Sequence, residues 1–229
     1  MRSLSEEWSS AAAPDDAAFL GVGSTLFHVK LDPEGVLAGL DADQVGKLRS
    51  FAATLSSQGA DLGLVSKADR DRVWGRHVLD SLRVLSCLLP QDRTLADLGS
   101  GGGVPGIPLA VARPSIPVAL IESRSQRVGF LERVVQDLAI GNARVLHARA
   151  EEVSERFAAC TARAVADPVG TWRLAAPLLE DGGRAFYFAG RSFGQNELDA
   201  LLAAGARANI CGSPLFPGSG SLVIMQSGR

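Results

Sequence analysis

The sequence predicts an α/β fold with a Rossmann-like, mostly parallel sheet, and three observations carry that prediction. From Thr94 onward short apolar runs alternate with amphipathic helical stretches, the rhythm of right-handed βαβ units. The run Thr94-Leu-Ala-Asp-Leu98 passes directly into a glycine loop, Asp97-Leu-Gly-Ser-Gly-Gly-Gly-Val-Pro-Gly-Ile-Pro-Leu-Ala110. The next apolar run, Pro117-Val-Ala-Leu-Ile-Glu122, ends in an acid roughly 20 residues beyond the loop, where a carboxylate can bind a ribose diol.

The elements follow in order. Residues 1–38 mix small, polar and turn residues and receive no assignment. Asp41 is a helix N-cap with Gln44 three residues on, and Leu40 and Val45 occupy the staple positions. Val45, Leu48, Phe51, Ala52 and Leu55 then line one helical face. Ser66-Lys-Ala-Asp69 resembles a second capping box, ahead of one amphipathic helix through Val73, Trp74, His77, Val78, Ser81, Leu82 and Leu85, closed by Pro90. After the first two strands come a helix over Gln126–Leu138 and a third strand, Ala143–His147. A fourth strand is expected at Ala159–Val165, a helix at Gly170–Leu179 and a fifth strand at Arg184–Ala189. A helix at Gln195–Ala203 and a strand at Ser221–Met225 suit an antiparallel ending. The organisation is an unassigned extension (1–38), N-terminal helices packing on the core (39–90) and the core itself (91–229), one compact domain overall.

With 229 residues, 46% of them hydrophobic, the chain can bury a substantial core. A net charge of −2 excludes a global basic field, yet nearly all the cations are arginines, which suit phosphate and base recognition. Cys87, Cys160 and Cys211 are scattered without metal-ligand spacing, so we expect no metal, buried thiols and a reducing compartment. The acidic N-terminal stretch lacks signal-peptide character, and no run approaches the ~18 apolar residues of a membrane span. A monomeric cytoplasmic protein with no membrane partner is expected.

The loop reads in two registers. From Asp97 it fits D-x-G-x-G-x-G, a shape associated with S-adenosylmethionine; from Gly101 it fits G-x-G-x-x-G, the dinucleotide fingerprint. Either way the glycines let a ligand approach backbone N–H groups beside a helix N-terminus. Asp97 favours S-adenosylmethionine, because a carboxylate there can meet a methionine-like amino group or orient the loop. A pyrophosphate gains little from it. Gly101, Asp97 and Glu122 are therefore cofactor-site candidates, and an NAD(P)-dependent oxidoreductase is the second reading.

Further residues resemble one family. Arg76-His-Val-Leu-Asp-Ser-Leu82 is similar to the R-H-x-L-D-S helix of the RsmG (GidB) rRNA methyltransferases. DLGSGGGVPGIPLA is similar to that family's loop, its Pro-Gly-Ile-Pro half more distinctive than the glycines. Glu122-Ser-Arg-Ser-Gln-Arg-Val-Gly-Phe-Leu131, Ala148-Arg-Ala-Glu-Glu152 and Ala162-Arg-Ala-Val165 match further blocks, and the likeness runs from about Leu40 to the C-terminus. The resemblance implies a class I S-adenosylmethionine-dependent methyltransferase fold: a seven-stranded sheet, an antiparallel C-terminal hairpin and extra N-terminal helices. It implies methyl transfer from S-adenosylmethionine to N7 of a guanine near the decoding region of 16S rRNA, with 16S rRNA or the 30S subunit as partner. It places cofactor contacts at Gly99, Val104, Ala150, Glu151 and Arg163. The chain departs from the family at Gly63, where members usually carry Asn. It departs again at Phe188-Ala-Gly-Arg191, where they carry Leu-Lys-Gly, and Arg191 is the candidate replacement for the lysine.

Guanine N7 carries an in-plane lone pair and no proton at neutral pH, so its methylation needs no general base and depends on positioning. No catalytic acid or base is expected, and His77 and Arg163 are positioning candidates. Because A-form RNA buries N7 in a deep, narrow groove, the target base must be unpaired or extruded. Arg76, Arg124, Arg127, Arg133 and Arg191 are candidate RNA contacts. A non-catalytic RNA-binding protein on the same fold is the remaining alternative.

Overall fold

The computed structural model describes residues 35–211 and 219–228, so most of the unassigned extension lies outside the described residues. Helix α1 (Ala42–Gln58) starts as its sequence dictates: Asp41 Oδ1 accepts from Gln44 N at 2.8 Å, and Gln44 Oε1 accepts from Asp41 N at 2.9 Å. Leu48, Phe51, Ala52 and Leu55 are buried on its inner face.

The second expected helix is not one α-helix. A 3₁₀ segment (Lys67–Arg72), a π-helical turn (Val73–Leu79) and another 3₁₀ segment (Leu82–Ser86) replace it. The apolar residues do face inward, but Asp80 and Arg83 are buried with them. The widened turn brings Asp80 N–H to the carbonyls of both Gly75 and His77, while Ser81 Oγ also donates to the His77 carbonyl. Periodicity reports which side chains face the core, whereas the hydrogen-bond ladder bends to accommodate buried charge.

Strands β1 (Leu95–Leu98), β2 (Val118–Glu122), β3 (Ala143–His147), β4 (Phe157–Arg163), β5 (Leu179–Phe188), β6 (Ala206–Cys211) and β7 (Leu222–Ser227) form one sheet ordered β3-β2-β1-β4-β5-β7-β6. All pairings are parallel except those of β7 with β5 and β6. Helices α2 (Gly106–Ala112), α3 (Ser125–Asp137), α4 (Pro168–Ala175) and α5 (Gln195–Ala203) connect them. Two apolar clusters cover the two faces. One holds Phe51, Leu55, Ile107 and Phe130, the other Trp172, Leu178 and Leu201. Strand β6 escaped the sequence reading, because Ala-Arg-Ala-Asn-Ile-Cys lies at the sheet edge and is mostly half-buried.

The order reverses between β1, which is followed by β2 on one side, and β4 on the other. Ligands of open parallel sheets bind at the carboxyl ends of strands beside such a switch point, and the glycine loop leaves β1 there. The helical layer closes over it: a side chain at Gly102 would meet Leu55 Cδ1 at 3.0 Å and Leu64 Cβ at 3.2 Å.

One cysteine expectation is corrected. Cys87 and Cys211 are joined in a disulfide, because β6 ends beside the last turn of the helical layer. Cys160 is the free, buried thiol that was expected. No helix among the described residues is long and apolar enough to cross a membrane.

Candidate functional site

Asp97 and Glu122 divide the work around the loop. The Asp97 side chain is buried and points into the fold: Oδ1 accepts from Thr161 Oγ1 at 2.9 Å, and Oδ2 accepts from Gly106 N at 3.1 Å. Burial pushes its carboxyl up to about 6, against the pull of those hydrogen bonds. Of the two roles open to it, the structure supplies the second, orientation of the loop. Thr161 was missed by the sequence reading. It lies opposite Asp97 in the β1–β4 register, a pairing that only the assembled sheet creates.

Glu122, at the end of β2, faces the loop. Its Oε2 accepts from Gly101 N at 3.0 Å and its Oε1 from Arg124 N at 2.9 Å. Each carboxylate oxygen retains a lone pair for a further donor such as a sugar hydroxyl. Gly101 has φ +53, a left-handed conformation that turns its N–H onto that carboxylate. Arg127 Nη1 lies 3.8 Å from Glu122 Oε2, and its Nη2 donates to the Gly63 carbonyl at 3.4 Å. Arg127, expected from sequence to contact RNA, thus spans from the Glu122 carboxylate to the N-terminal layer.

A second cluster sits where that layer meets the end of β4. Arg163 Nη2 pairs with Asp80 Oδ2 at 3.2 Å and donates to the Arg76 carbonyl at 2.8 Å; its Nη1 is buried without a partner among the described residues. Asp80 Oδ1 pairs with Arg83, itself fully buried, at 3.1 Å. His77 lies beside them. Burial and the neighbouring Arg163 cation hold its imidazole down to about 4, overriding the Asp69 carboxylate, so it is neutral at physiological pH. Arg76 pairs with Asp69 at 3.5 Å.

Comparison with known proteins identifies the lineage. The family model described as rRNA small subunit methyltransferase G (GidB) matches residues 44–205. The chain belongs to this family.

Relatives carrying the family's name include the protein of Clavibacter michiganensis subsp. michiganensis, 39% identical over 76% of this chain and 82% of its own length. That of Leifsonia xyli subsp. xyli is 38% identical over 82% of this chain and 89% of its own length. Among solved structures, a magnesium protoporphyrin IX methyltransferase from Synechocystis PCC 6803 superposes with TM-score 0.53 at 17% identity, covering 83% of this chain and 99% of that one. A ribosomal protein L11 methylase from Lactobacillus delbrueckii subsp. bulgaricus does so with TM-score 0.53 at 13% identity, covering 66% and 78%. These distant structures establish the shared class I fold.

Within the family frame, the residues singled out from sequence gather along one edge of the sheet. Gly99, Gly101 and Val104 follow β1, Glu122 ends β2, Ala150 and Glu151 follow β3, and Arg163 ends β4. Ala150 and Glu151 form a short 3₁₀ turn, with Glu151 exposed. The candidate RNA contacts do not form one patch by direct contact. Arg124, Arg133 and Arg191 are exposed and make no ion pair among the described residues, whereas Arg76 and Arg127 are paired. Gly63 has φ +63. Glycine adopts that left-handed conformation without strain, and Asn tolerates it better than most other residues. No local pattern in the Arg76-His-Val-Leu-Asp-Ser81 segment marks a role for Asp80. Its two buried guanidinium partners reveal one.

Proposed function

We propose that this chain transfers the methyl group of S-adenosylmethionine to N7 of a guanine in 16S rRNA, acting as a cytoplasmic monomer on the rRNA or the 30S subunit. The observation that carries the reading is the Gly101–Glu122 contact at the switch point, in a chain of the methyltransferase G family. The residues fit such a cofactor: the Glu122 carboxylate at the end of β2 would take a ribose diol, and a positive-φ glycine keeps side chains out of the cradle. Gly99, Val104, Ala150 and Glu151 would line the remaining length. S-adenosylmethionine supplies an electrophilic methyl on a sulfonium.

The chain's own task is positioning, since N7 presents its lone pair without giving up a proton. Asp97 is committed to Thr161 and Gly106 and holds the loop rigid. His77, in the helical layer, and Arg163, at the end of β4, would orient the base or its phosphate, and Arg124, Arg133 and Arg191 would meet the RNA backbone. Nucleoside mass spectrometry decides the matter. Purified protein and S-adenosylmethionine should convert about one guanosine per 30S particle, taken from cells lacking the gene, to N7-methylguanosine. No N7-methylguanosine, or methylation on another nucleoside, would overturn the assignment.

A further inference from the structure

The Cys87–Cys211 bond closes a sequence separation of 124 residues and joins the N-terminal layer to β6. Cys87 caps the 3₁₀ segment Leu82–Ser86 and is buried, whereas Cys211 is half-buried at the end of β6. Four residues before Cys87, Arg83 holds Asp80 at 3.1 Å and the Gly220 carbonyl, just before β7, at 3.0 Å. Asp80 in turn holds Arg163. The carbonyl of Cys87 itself accepts from Arg184 of β5 at 2.9 Å. One turn of chain therefore separates the disulfide from the ion-pair cluster at the end of β4. The third cysteine, Cys160, is buried on the other face of the sheet, where burial pushes its thiol up, so it does not compete for oxidation.

We propose that Cys87 and Cys211 form a reversible redox site, a dithiol oxidised by a small-molecule disulfide and reopened by a dithiol reductant. Its state sets how firmly the segment carrying His77 and Asp80 is held against the C-terminal strands. In the forward direction the more accessible Cys211 thiolate attacks the small disulfide, forms a mixed disulfide and releases one small thiolate. The Cys87 thiolate then attacks the Cys211 sulfur and releases the second. The protein loses two protons and two electrons, and one small disulfide becomes two small thiols. Oxidation removes loop entropy from the unfolded chain and restrains the layer in the folded one.

The test uses the full-length protein treated with oxidised glutathione or with dithiothreitol, then denatured and alkylated with N-ethylmaleimide. Intact mass should show one adduct in the oxidised form and three in the reduced form, and a Cys87–Cys211 peptide should appear on digestion. The melting temperature should fall by about 10 °C on reduction. The KM for 30S particles should rise about three- to tenfold while the Kd for S-adenosylmethionine changes less than about twofold, because the cluster at β4 shifts and the β1 loop does not. Cys211→Ser should behave like the reduced protein under both treatments; should it fail to fold, the wild-type comparison stands alone. Three adducts after glutathione treatment, or equal melting temperatures in the two forms, would overturn the proposal. An equal KM in both forms would overturn its link to the site. The activity arm rests on the methyl-transfer reading; if neither form transfers methyl, that reading fails and the mass and melting arms still decide this one.

Discussion

The Arg163 guanidinium lies 3.2 Å from the Asp80 carboxylate, tying the end of β4 to the helical layer that covers the loop. Asp80 also pairs with Arg83, and both Asp80 and Arg83 are almost wholly withdrawn from water. Removing the shared carboxylate strands two buried cations. Asp80→Ala should therefore lower the unfolding free energy by about 3–5 kcal/mol, as read from urea denaturation. A loss under about 1 kcal/mol would show that the cluster does not hold the layer.

Glu122 predicts an effect on binding as well as on folding. Glu122→Gln keeps one acceptor for Gly101 N or Arg124 N but removes the charge that strengthens a hydroxyl donor's bond. Isothermal titration calorimetry should show S-adenosylmethionine affinity reduced by about 10- to 100-fold, alongside a stability loss of about 1–3 kcal/mol from the one partly buried N–H left without its acceptor.

Thr161 tests the latch on Asp97. Thr161→Val removes the donor to a buried carboxylate, so stability should fall by about 1–3 kcal/mol. The Asp97 carboxyl should titrate still higher than about 6, since a bond favouring its ionised form is lost. Carbon-13 NMR of the carboxyl resonances reads the second effect. A value unchanged or lower contradicts the latch.

His77 sets an acid limit. Its folded-state pKa of about 4 lies below the 6.5 of an exposed imidazole, so between these values the unfolded chain binds more protons. Stability contributed by His77 is then intact above pH 6.5 and is lost as the pH falls toward 4. Asp97 acts in the opposite direction: with its pKa raised from 3.8 to about 6, the folded chain binds more protons there and gains stability on acidification. The Asp97 contribution is common to wild type and His77→Gln, so the difference between their pH profiles isolates the imidazole. Between pH 6.5 and 4 the wild type should lose on the order of 2 kcal/mol more than the variant. Parallel profiles would refute a buried neutral His77.

Arg133 makes no ion pair among the described residues and lies on an exposed position of α3. If it meets an RNA phosphate, Arg133→Ala should weaken 30S binding and lower the slope of log affinity against log salt by about 1. An unchanged slope assigns the residue to solvent.

Local pattern alone carried part of the fold and of the site. The strand–loop–helix unit at Asp97–Ala110, the carboxylate at Glu122 and the α1 capping box were legible because each is set by neighbours a few residues apart. The family followed from the same short blocks. Tertiary structure decided what depends on residues distant in sequence. It turned Asp97 toward Thr161, drew Arg127 onto Glu122 and Gly63, and built the Asp80–Arg83–Arg163 cluster. It also broke the expected second helix into 3₁₀ and π turns, and paired two cysteines that looked unrelated. The physical reason is common to all of these. A buried charge, a donor without water or a thiol takes whatever partner the sheet order brings beside it, and that partner is not written in the local sequence.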